Sequence, residues 1–528
     1  MTLPHKQESD MDMERHTYDY IVCGSGSAGS VVARRLAENP DVTVLLVEAG
    51  GDDEVPQVSD ASRWAENLGG ERDWAFATRP NPRLGGRSLL CSMGKVLGGS
   101  SSINLMVWAR GHRSDWDAFA EASGDAGWNY ASVLDIYRRI ENWQGVPDPQ
   151  RRGHDGDLFV QTTPAPNPTA AALMDAARAA GIAVFADANG AMMEGAGGAA
   201  LSNLRIRDGK RQSVFGSYVR PWLGRANLTV WTHARVARVT FSGRRATGVE
   251  VLVNGARVRV EATRETVLSL GAVQTPTILM QSGIGDARHL RAFGIAVVEN
   301  LPGVGRHLQE HVLLGGCVWE YATEDQFRGS GPEATFFHKT RGDLDAPDIQ
   351  GFLIDGAFVS AELADAAPAR SCWSITPGLV RPRSRGRILL TGAQPGDPPD
   401  IDTRILSDPA DLEALLASVA LARELGNSAA FGALRAREAL PGPLGRAAMA
   451  RFVRNAAVPF WHYACTARMG NDEFSVVDAR LRVHGIDRLR IADASIMPRV
   501  TTGNTMAPCV VIGERAAAMI LEDAVNPP

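Results

Sequence analysis

One stretch, TYDYIVCGSGSAGSVVARRLAEN followed by VTVLLVEAG, restricts the fold more than any other part of the 528-residue chain. TYDYIVCG is an apolar run of strand length that enters the turn GSGSAG directly. SAGSVVARRLAEN then has helical periodicity, with Val31, Val32 and Leu36 on one stripe and arginines opposite. VTVLLVEAG reads as a second buried strand. Strand, Gly turn, helix and strand in this order form a βαβ unit. In the turn Gly24-Ser25-Gly26-Ser27-Ala28-Gly29, Gly24 permits a tight bend and Gly26 leaves room for a pyrophosphate. Gly29 lets helix and strand approach closely. The helix N-terminus offers free N–H groups and a positive dipole end to phosphates. Glu48, followed by Ala49, is placed to bind ribose hydroxyls, and its charge would repel a 2′-phosphate. The bland alternative is a Gly turn without a ligand; the full arrangement predicts an adenine-dinucleotide site.

At ~150 residues per domain the length allows two or three domains. A net charge of -5 argues against a nucleic-acid partner, which needs an excess of Lys and Arg. The cysteines, Cys23, Cys91, Cys317, Cys372, Cys465 and Cys509, are scattered without ligand spacing, so no metal site is expected and a reducing cytoplasm is. The polar N-terminus lacks the apolar core of a signal peptide and reads as a loose tail, with Met11 or Met13 as alternative starts. No apolar run approaches the ~20 residues needed to span a bilayer.

A second Gly-rich segment, SMGKVLGGSSSINLMVWARGH, begins at Ser92. Its apolar flanks predict burial, and its buried hydroxyl donors predict a bound polar ring or phosphate as their partner. From Asn227 the pattern becomes short alternating strands, with a hairpin signal at Asn254-Gly255. ETVLSLGAVQTPTILMQSGIG returns to strand, Gly turn and helix. Between about His311 and Ala450 the βαβ order is lost, which marks a candidate second domain; the acids around Asp400 and Asp402 there read as turn chemistry. RLRIADASIMP is a strand and turn, and APCVVIGERAAAMILEDA an amphipathic final helix.

These residues resemble the glucose-methanol-choline (GMC) flavin oxidoreductases. The resemblance rests on GKVLGGSSSINLMVWARGHRSDWD (Gly94 to Asp117), GAVQTPTILMQSGIG (Gly271 to Gly285), GVGRHLQEH (Gly303 to His311) and DASIMPRVTTGNTMAP (Asp493 to Pro508). His307 and Glu310 are mild departures from the family pattern, as is Met506, where many members carry Asn. The resemblance implies an α/β fold: a Rossmann-like FAD-binding domain with a second, substrate-binding domain on an antiparallel sheet. Residues 17–160 would form the first part of the FAD domain with a flavin-lid segment, and 161–310 its continuation with some substrate-domain insertion. Residues 311–450 would form the substrate domain, and 451–528 the closing segment with the catalytic residues.

The resemblance places the adenosine half of FAD at Gly24–Gly29, Glu48 and Val236. It places the isoalloxazine and pyrophosphate along Trp74 and the run from Val96 through Gly98, Gly99, Ser100, Asn104, Leu105 and Met106 to Val107. Asp493 and Ala494 would meet the ribityl and phosphate, Thr505 and Met506 the pyrimidine end of the flavin. The last helix would aim its N-terminus at flavin N1 and C2=O. Members that bind FAD covalently through a histidine in the first signature carry it where this chain has Ile103, so non-covalent FAD is expected. His462 and Asn504 match the catalytic pair. A neutral imidazole can take the alcohol proton, and an amide N–H can hold the developing alkoxide. Trp461 and Phe460 are candidates for contact with flavin or substrate, with packing as the bland alternative. His233, His307 and His311 are expected to be structural. The expected activity is oxidation of a small neutral alcohol, aromatic, furanic or polyol, with oxygen or another electron acceptor. A non-redox hydroxynitrile lyase and a non-catalytic flavin binder are the alternatives. Residues 118–225 and the middle section are expected to shape the pocket.

Overall fold

A computed structural model describes residues 16–327 and 331–525. The expected N-terminal tail, with Met11 and Met13, lies outside the described residues. Strand β1 (His16–Cys23), helix α1 (Ser27–Leu36) and strand β2 (Val44–Val47) form the predicted unit. β1 and β2 pair in parallel, Tyr20 to Val44 through Cys23 to Val47. They belong to a seven-stranded sheet. Leu228–Trp231 lies parallel to β2 on one side. The second half of the long strand Ala256–Leu268 lies parallel to β1 on the other, and Leu489–Ile491 follows it. The first half of that long strand folds back on Arg245–Val253. The turn between them is Asn254 (φ 50°) and Gly255 (φ 80°), the left-handed pair that a two-residue hairpin requires.

Every parallel strand of the central group ends on the same edge. Gly24 follows β1, Glu48 follows β2, Ser269 follows Ala256–Leu268, and Asp493 lies just past Leu489–Ile491. In an open α/β sheet this carboxyl edge is where ligands bind, because helix N-termini and loops converge there.

The second sheet has eight strands. Its continuous path runs Arg435–Leu440, Val318–Tyr321, Cys372–Leu379, Ile349–Ile354, Ala334–His338 and Gly198–Leu201, every pair antiparallel. Val312–Leu314 pairs with both Cys372–Leu379 and Ala457–Pro459. Helix Pro409–Gly426 packs on Cys372–Leu379. Trp373 there stacks between Trp319 (centroids 4.7 Å) and Phe431 (4.3 Å).

Two local expectations are corrected. The final helix, Met506–Val525, is buried around most of its circumference as far as Ile520, because it packs against α1. A Cβ on Gly513 would sit 2.7 Å from the Ala28 carbonyl oxygen. Asp400 and Asp402 lie in a strand paired with Gly386–Leu389, and both are ion-paired, Asp400 to Arg79 and Asp402 to Arg387 and Arg404.

Asp115, fully buried in helix Arg113–Ser123, ties the first signature to the C-terminal segment. Its Oδ2 accepts the N–H of His112 at 2.8 Å and of Thr502 at 2.6 Å, and Oδ1 lies 3.4 Å from Arg381 and 3.3 Å from Arg499. Asp115→Ala leaves those donors facing a void, and a stability loss of about 2–3 kcal/mol is expected in urea denaturation.

Candidate active site

His462 is placed by an interrupted ladder. Val312, Leu313 and Leu314 pair with Pro459, Val458 and Ala457. Continued unbroken, that register would set Gln309 against His462. Gln309 is bridged with Ala464 instead, so the second strand bulges by two residues. Trp461, in the bulge, takes φ 61° and donates its indole N–H to the Leu90 carbonyl at 3.1 Å. Glu310 braces the bulge: its Oε1 accepts the displaced N–H of His462 at 2.9 Å and shares that of Phe460 (3.2 Å), which still donates to the His311 carbonyl at 3.2 Å.

The bulge sets the His462 ring in a cavity wall. The ring stacks on Phe460, with centroids 4.5 Å apart and planes 21° from parallel. Its Nδ1 lies 3.0 Å from Nδ1 of His311, and its Nε2 lies 3.3 Å from Nδ2 of Asn504. Asn504 arrives on a loop held by Asp115 at Thr502 and by Gln309, whose Oε1 accepts the Val500 N–H at 3.2 Å. The reading of His311 as a fold residue is therefore corrected: it is the direct partner of His462. Both partners of the His462 ring are distant from it in sequence. Glu310 also bears on His462, through the backbone and not the ring.

Burial keeps this cluster uncharged. It holds the His462 imidazole down to about 3, and drives His311 well below the usual range, with His462 adding to the effect. Burial pushes the Glu310 carboxyl well above the usual carboxylate range. An imidazole in this state is a bare proton acceptor at any ordinary pH.

The same cavity reaches the carboxyl edge of the first sheet. Gly24, Gly26, Ser27, Ala28, Glu48 and Ala49 line it at the βαβ turn. Trp74, Gly99, Ser100, Asn104, Leu105 and Val107 line it from the next segment, and Asp493, Ala494, Asn504, Thr505 and Met506 from the C-terminal one, with Trp461 beside His462. Six expected positions do not line it. Ser25, Gly29, Val96, Gly98 and Met106 stand behind the wall, and Val236 faces an adjoining hollow shared with Ala49 and Trp74. Ser25 has a supporting part: its hydroxyl donates to Glu48 Oε2 at 2.7 Å and accepts the Gly98 N–H at 3.1 Å. Glu48 Oε1 accepts the Gly50 N–H at 2.9 Å, and burial raises the carboxyl's pKa.

The glycines fit a bound pyrophosphate. A Cβ on Gly29 would lie 1.9 Å from the Gly24 carbonyl oxygen, and one on Gly24 would lie 2.4 Å from that of Ser269. A Cβ on Gly26 meets nothing within 4 Å and would enter open space at the uncapped start of α1. The hydroxyls of Ser92 and Ser269, both in the wall, are buried without partners. The serines of the first signature are otherwise: Ser101 and Ser102 donate to the carbonyls of Gly98 (2.7 Å) and Leu97 (2.6 Å), and Ser100 accepts the Gly94 N–H at 3.1 Å. The expected need for a ligand is corrected for Ser101 and Ser102, whose donors the loop accepts itself, whereas Ser100 lines the cavity.

Residues 18–313 match the N-terminal model of the GMC oxidoreductases, and residues 382–513 match the C-terminal one. The chain belongs to the GMC oxidoreductase family. It is an FAD-dependent flavoenzyme, and the glycine cradle and helix termini just described suit that cofactor. Oxygen-dependent choline dehydrogenase of Paraburkholderia xenovorans is 36% identical, over 96% of this GMC oxidoreductase and 95% of the relative. Pyridoxine 4-oxidase from Mesorbium loti superposes with a TM-score of 0.91 at 32% identity, covering 96% of this chain and 99% of that one. Formate oxidase superposes with a TM-score of 0.88 at 26% identity, covering 97% and 99%.

The far end of the cavity was not legible in the sequence. Leu313, Phe352, Ile354 and Thr376 of the second sheet line it with Phe460 and with Phe358, which lies in the loop after Ile349–Ile354. No lining residue comes from 118–225, which corrects the expectation that this region shapes the pocket.

Two glycine variants separate fold from cofactor binding in this GMC oxidoreductase. Gly29→Ala forces backbone apart, with an expected loss of about 1–3 kcal/mol or more in urea. Gly26→Ala is expected to leave the FAD-free protein within about 0.5 kcal/mol of the parent, while FAD affinity, read by fluorescence titration, falls about tenfold or more.

Proposed function

We propose that this flavoenzyme oxidises a neutral alcohol, aromatic or furanic and primary, to the aldehyde, with His462 as the base. The observation that carries the reading is the uncharged His462–Asn504 pair, set in the wall of the cavity that the glycine cradle enters. FAD, when bound, supplies the acceptor for the hydride that leaves the carbinol carbon. Gly24–Gly29, Glu48, Ala49 and Val236 would hold its adenosine half. The segment from Val96 to Val107 with Trp74 and Trp461, and Asp493, Ala494, Thr505 and Met506, would hold the rest. Ile103, in the wall, offers no nucleophile, in keeping with non-covalent binding.

An alcohol O–H is too weak an acid to ionise unaided at neutral pH. His462 Nε2 is available to take that proton as the C–H bond breaks, a contribution of typically ~10²–10⁴ in rate. Asn504 Nδ2, 3.3 Å from Nε2, can donate to the same oxygen and hold its growing charge. His311 lies behind the ring and keeps its plane.

The wall chooses the substrate. Leu105, Val107, Leu313, Phe352, Ile354 and Phe358 are apolar and would leave the hydroxyls of a polyol unpartnered. The carboxylates in the wall, Glu48 and Asp493, are spent on the chain's own donors. The relative named for choline therefore does not set the substrate here. A quaternary ammonium would have only aromatic faces to offset its desolvation. An aromatic ring suits the same surfaces without that cost, which agrees better with the structural neighbour named for pyridoxine. The six free cysteines support the reducing cytoplasm as compartment. Among the described residues no helix is long and apolar enough to cross a membrane.

Anaerobic mixing with a panel of alcohols tests the reading. Benzylic and furanic alcohols are expected to bleach the flavin, with kcat/KM about a hundredfold above choline, or ~3 kcal/mol. Admission of oxygen then shows whether oxygen or another acceptor is used. Cleavage of a cyanohydrin without bleaching by any alcohol would instead establish the lyase. His462→Ala is expected to retain FAD and to lose ~10²–10⁴ in the reduction rate. Because His462 works unprotonated and protonates only near 3, kcat/KM should stay level on acidification. The level region should reach about pH 5, below the ordinary imidazole value of about 6.5. A fall in kcat/KM at the ordinary imidazole value would contradict the assignment.

A further inference from the structure

Gln350 lies in strand Ile349–Ile354 of the second sheet and is 0% exposed. Its neighbours across the sheet are Phe337 and Gly378, neither of which titrates or offers a polar side chain. A primary amide buried there needs partners. Its Nε2 donates to Asn504 Oδ1 at 3.1 Å, and its Oε1 has no partner. The strand keeps half of a buried amide unsatisfied in order to present the other half to Asn504.

We propose that Gln350 is a positioning residue that selects the tautomer of His462, acting through Asn504. The proposal rests on the reading of His462 as the base. A primary amide has one donor and one acceptor end. With the Gln350 N–H on Asn504 Oδ1, the end of Asn504 that lies 3.3 Å from His462 Nε2 is the donor, Nδ2. A donor there requires Nε2 to be the bare nitrogen, so the ring proton sits on Nδ1. Nδ1 lies 3.0 Å from His311 Nδ1, to which it can donate, and the His311 proton then sits on its own Nε2. One orientation runs through four side chains. With the Asn504 amide turned over, Oδ1 would face His462 Nε2 and call for a proton on the nitrogen that must accept one. The titratable groups along this chain are His462, His311 and Glu310, all of which burial keeps uncharged.

The test uses holoenzyme and an alcohol that reduces the wild-type flavin. Gln350→Met removes the donor at nearly constant volume. FAD content and Tm should be unchanged, and the limiting reduction rate should fall about tenfold with substrate affinity within about twofold. In an Asn504→Ala background the same substitution should change the rate by less than about twofold, because its only route of action is gone. Gln350→Glu gives a pH signature: the protonated carboxyl donates to Asn504 Oδ1 as glutamine does, whereas the ionised one accepts from Nδ2 and turns the amide. The rate of that variant should fall as pH rises, where the wild type's does not. Long-range proton–nitrogen spectra of ¹⁵N-histidine-labelled holoenzyme read the tautomer directly. The His462 proton should be on Nδ1 in the wild type and move to Nε2 in Gln350→Glu at high pH. Equal losses from Gln350→Met in both backgrounds, or a His462 tautomer that is the same in every variant, overturn the proposal. Failure of every alcohol to reduce the wild-type flavin is a different result and removes the reading beneath it.

Discussion

At the bulge the His462 N–H loses its ladder partner and comes to rest on one carboxyl oxygen of Glu310, which also shares the Phe460 N–H with the His311 carbonyl. Much of the site depends on that substitution. Without it, an unbroken pairing of Val312–Leu314 with Ala457–Pro459 would carry His462 past its present position and set it opposite Gln309. A buried, unpaired N–H is costly enough that a bulge of this kind persists only where something else accepts the bond. Glu310 does so, and its position beside His311 brings the second imidazole to the first.

The cluster that results is largely buried and uncharged. Its three titratable members are each displaced by burial toward the neutral form, in opposite directions for acid and imidazole. This makes the hydrogen-bond pattern, rather than net charge, the variable that controls the reactivity of His462. The wall formed by Leu313, Phe352, Ile354 and Phe358 continues this setting with apolar side chains. His462 and the apolar wall thus share one low-dielectric setting.

Much of the first sheet was legible from local signals. The βαβ unit, the Asn254-Gly255 turn and the strand before Gly271 each announce themselves through periodicity and glycine chemistry, because the interactions that form them are close in sequence. The glycine positions were legible for the same reason. The site was legible only in part. His462 and Asn504 could be named through the family motifs, but Glu310, His311 and Gln350 act through contacts across 150 residues or so. His311 looked structural because its partner lies on a segment distant in sequence. Ser101 and Ser102 looked like part of a ligand cradle because their acceptors, the carbonyls of Gly98 and Leu97, belong to the same loop and leave no mark in composition. The buried final helix departed from its amphipathic reading because α1 covers a second face of it.

The wall of the cavity has two separate origins. Its cradle comes from the parallel sheet and its apolar end from the antiparallel one, while His462 rises at the seam between Val312–Leu314 and Ala457–Pro459. Phe352, Ile354 and Thr376, the lining side chains of Ile349–Ile354 and Cys372–Leu379, can therefore exchange without disturbing the strand ends that carry Gly24, Glu48 and Asp493, so long as Gln350 keeps its bond to Asn504. A chain built this way can drift to a new alcohol in small steps, each confined to one sheet, while its flavin chemistry is inherited intact.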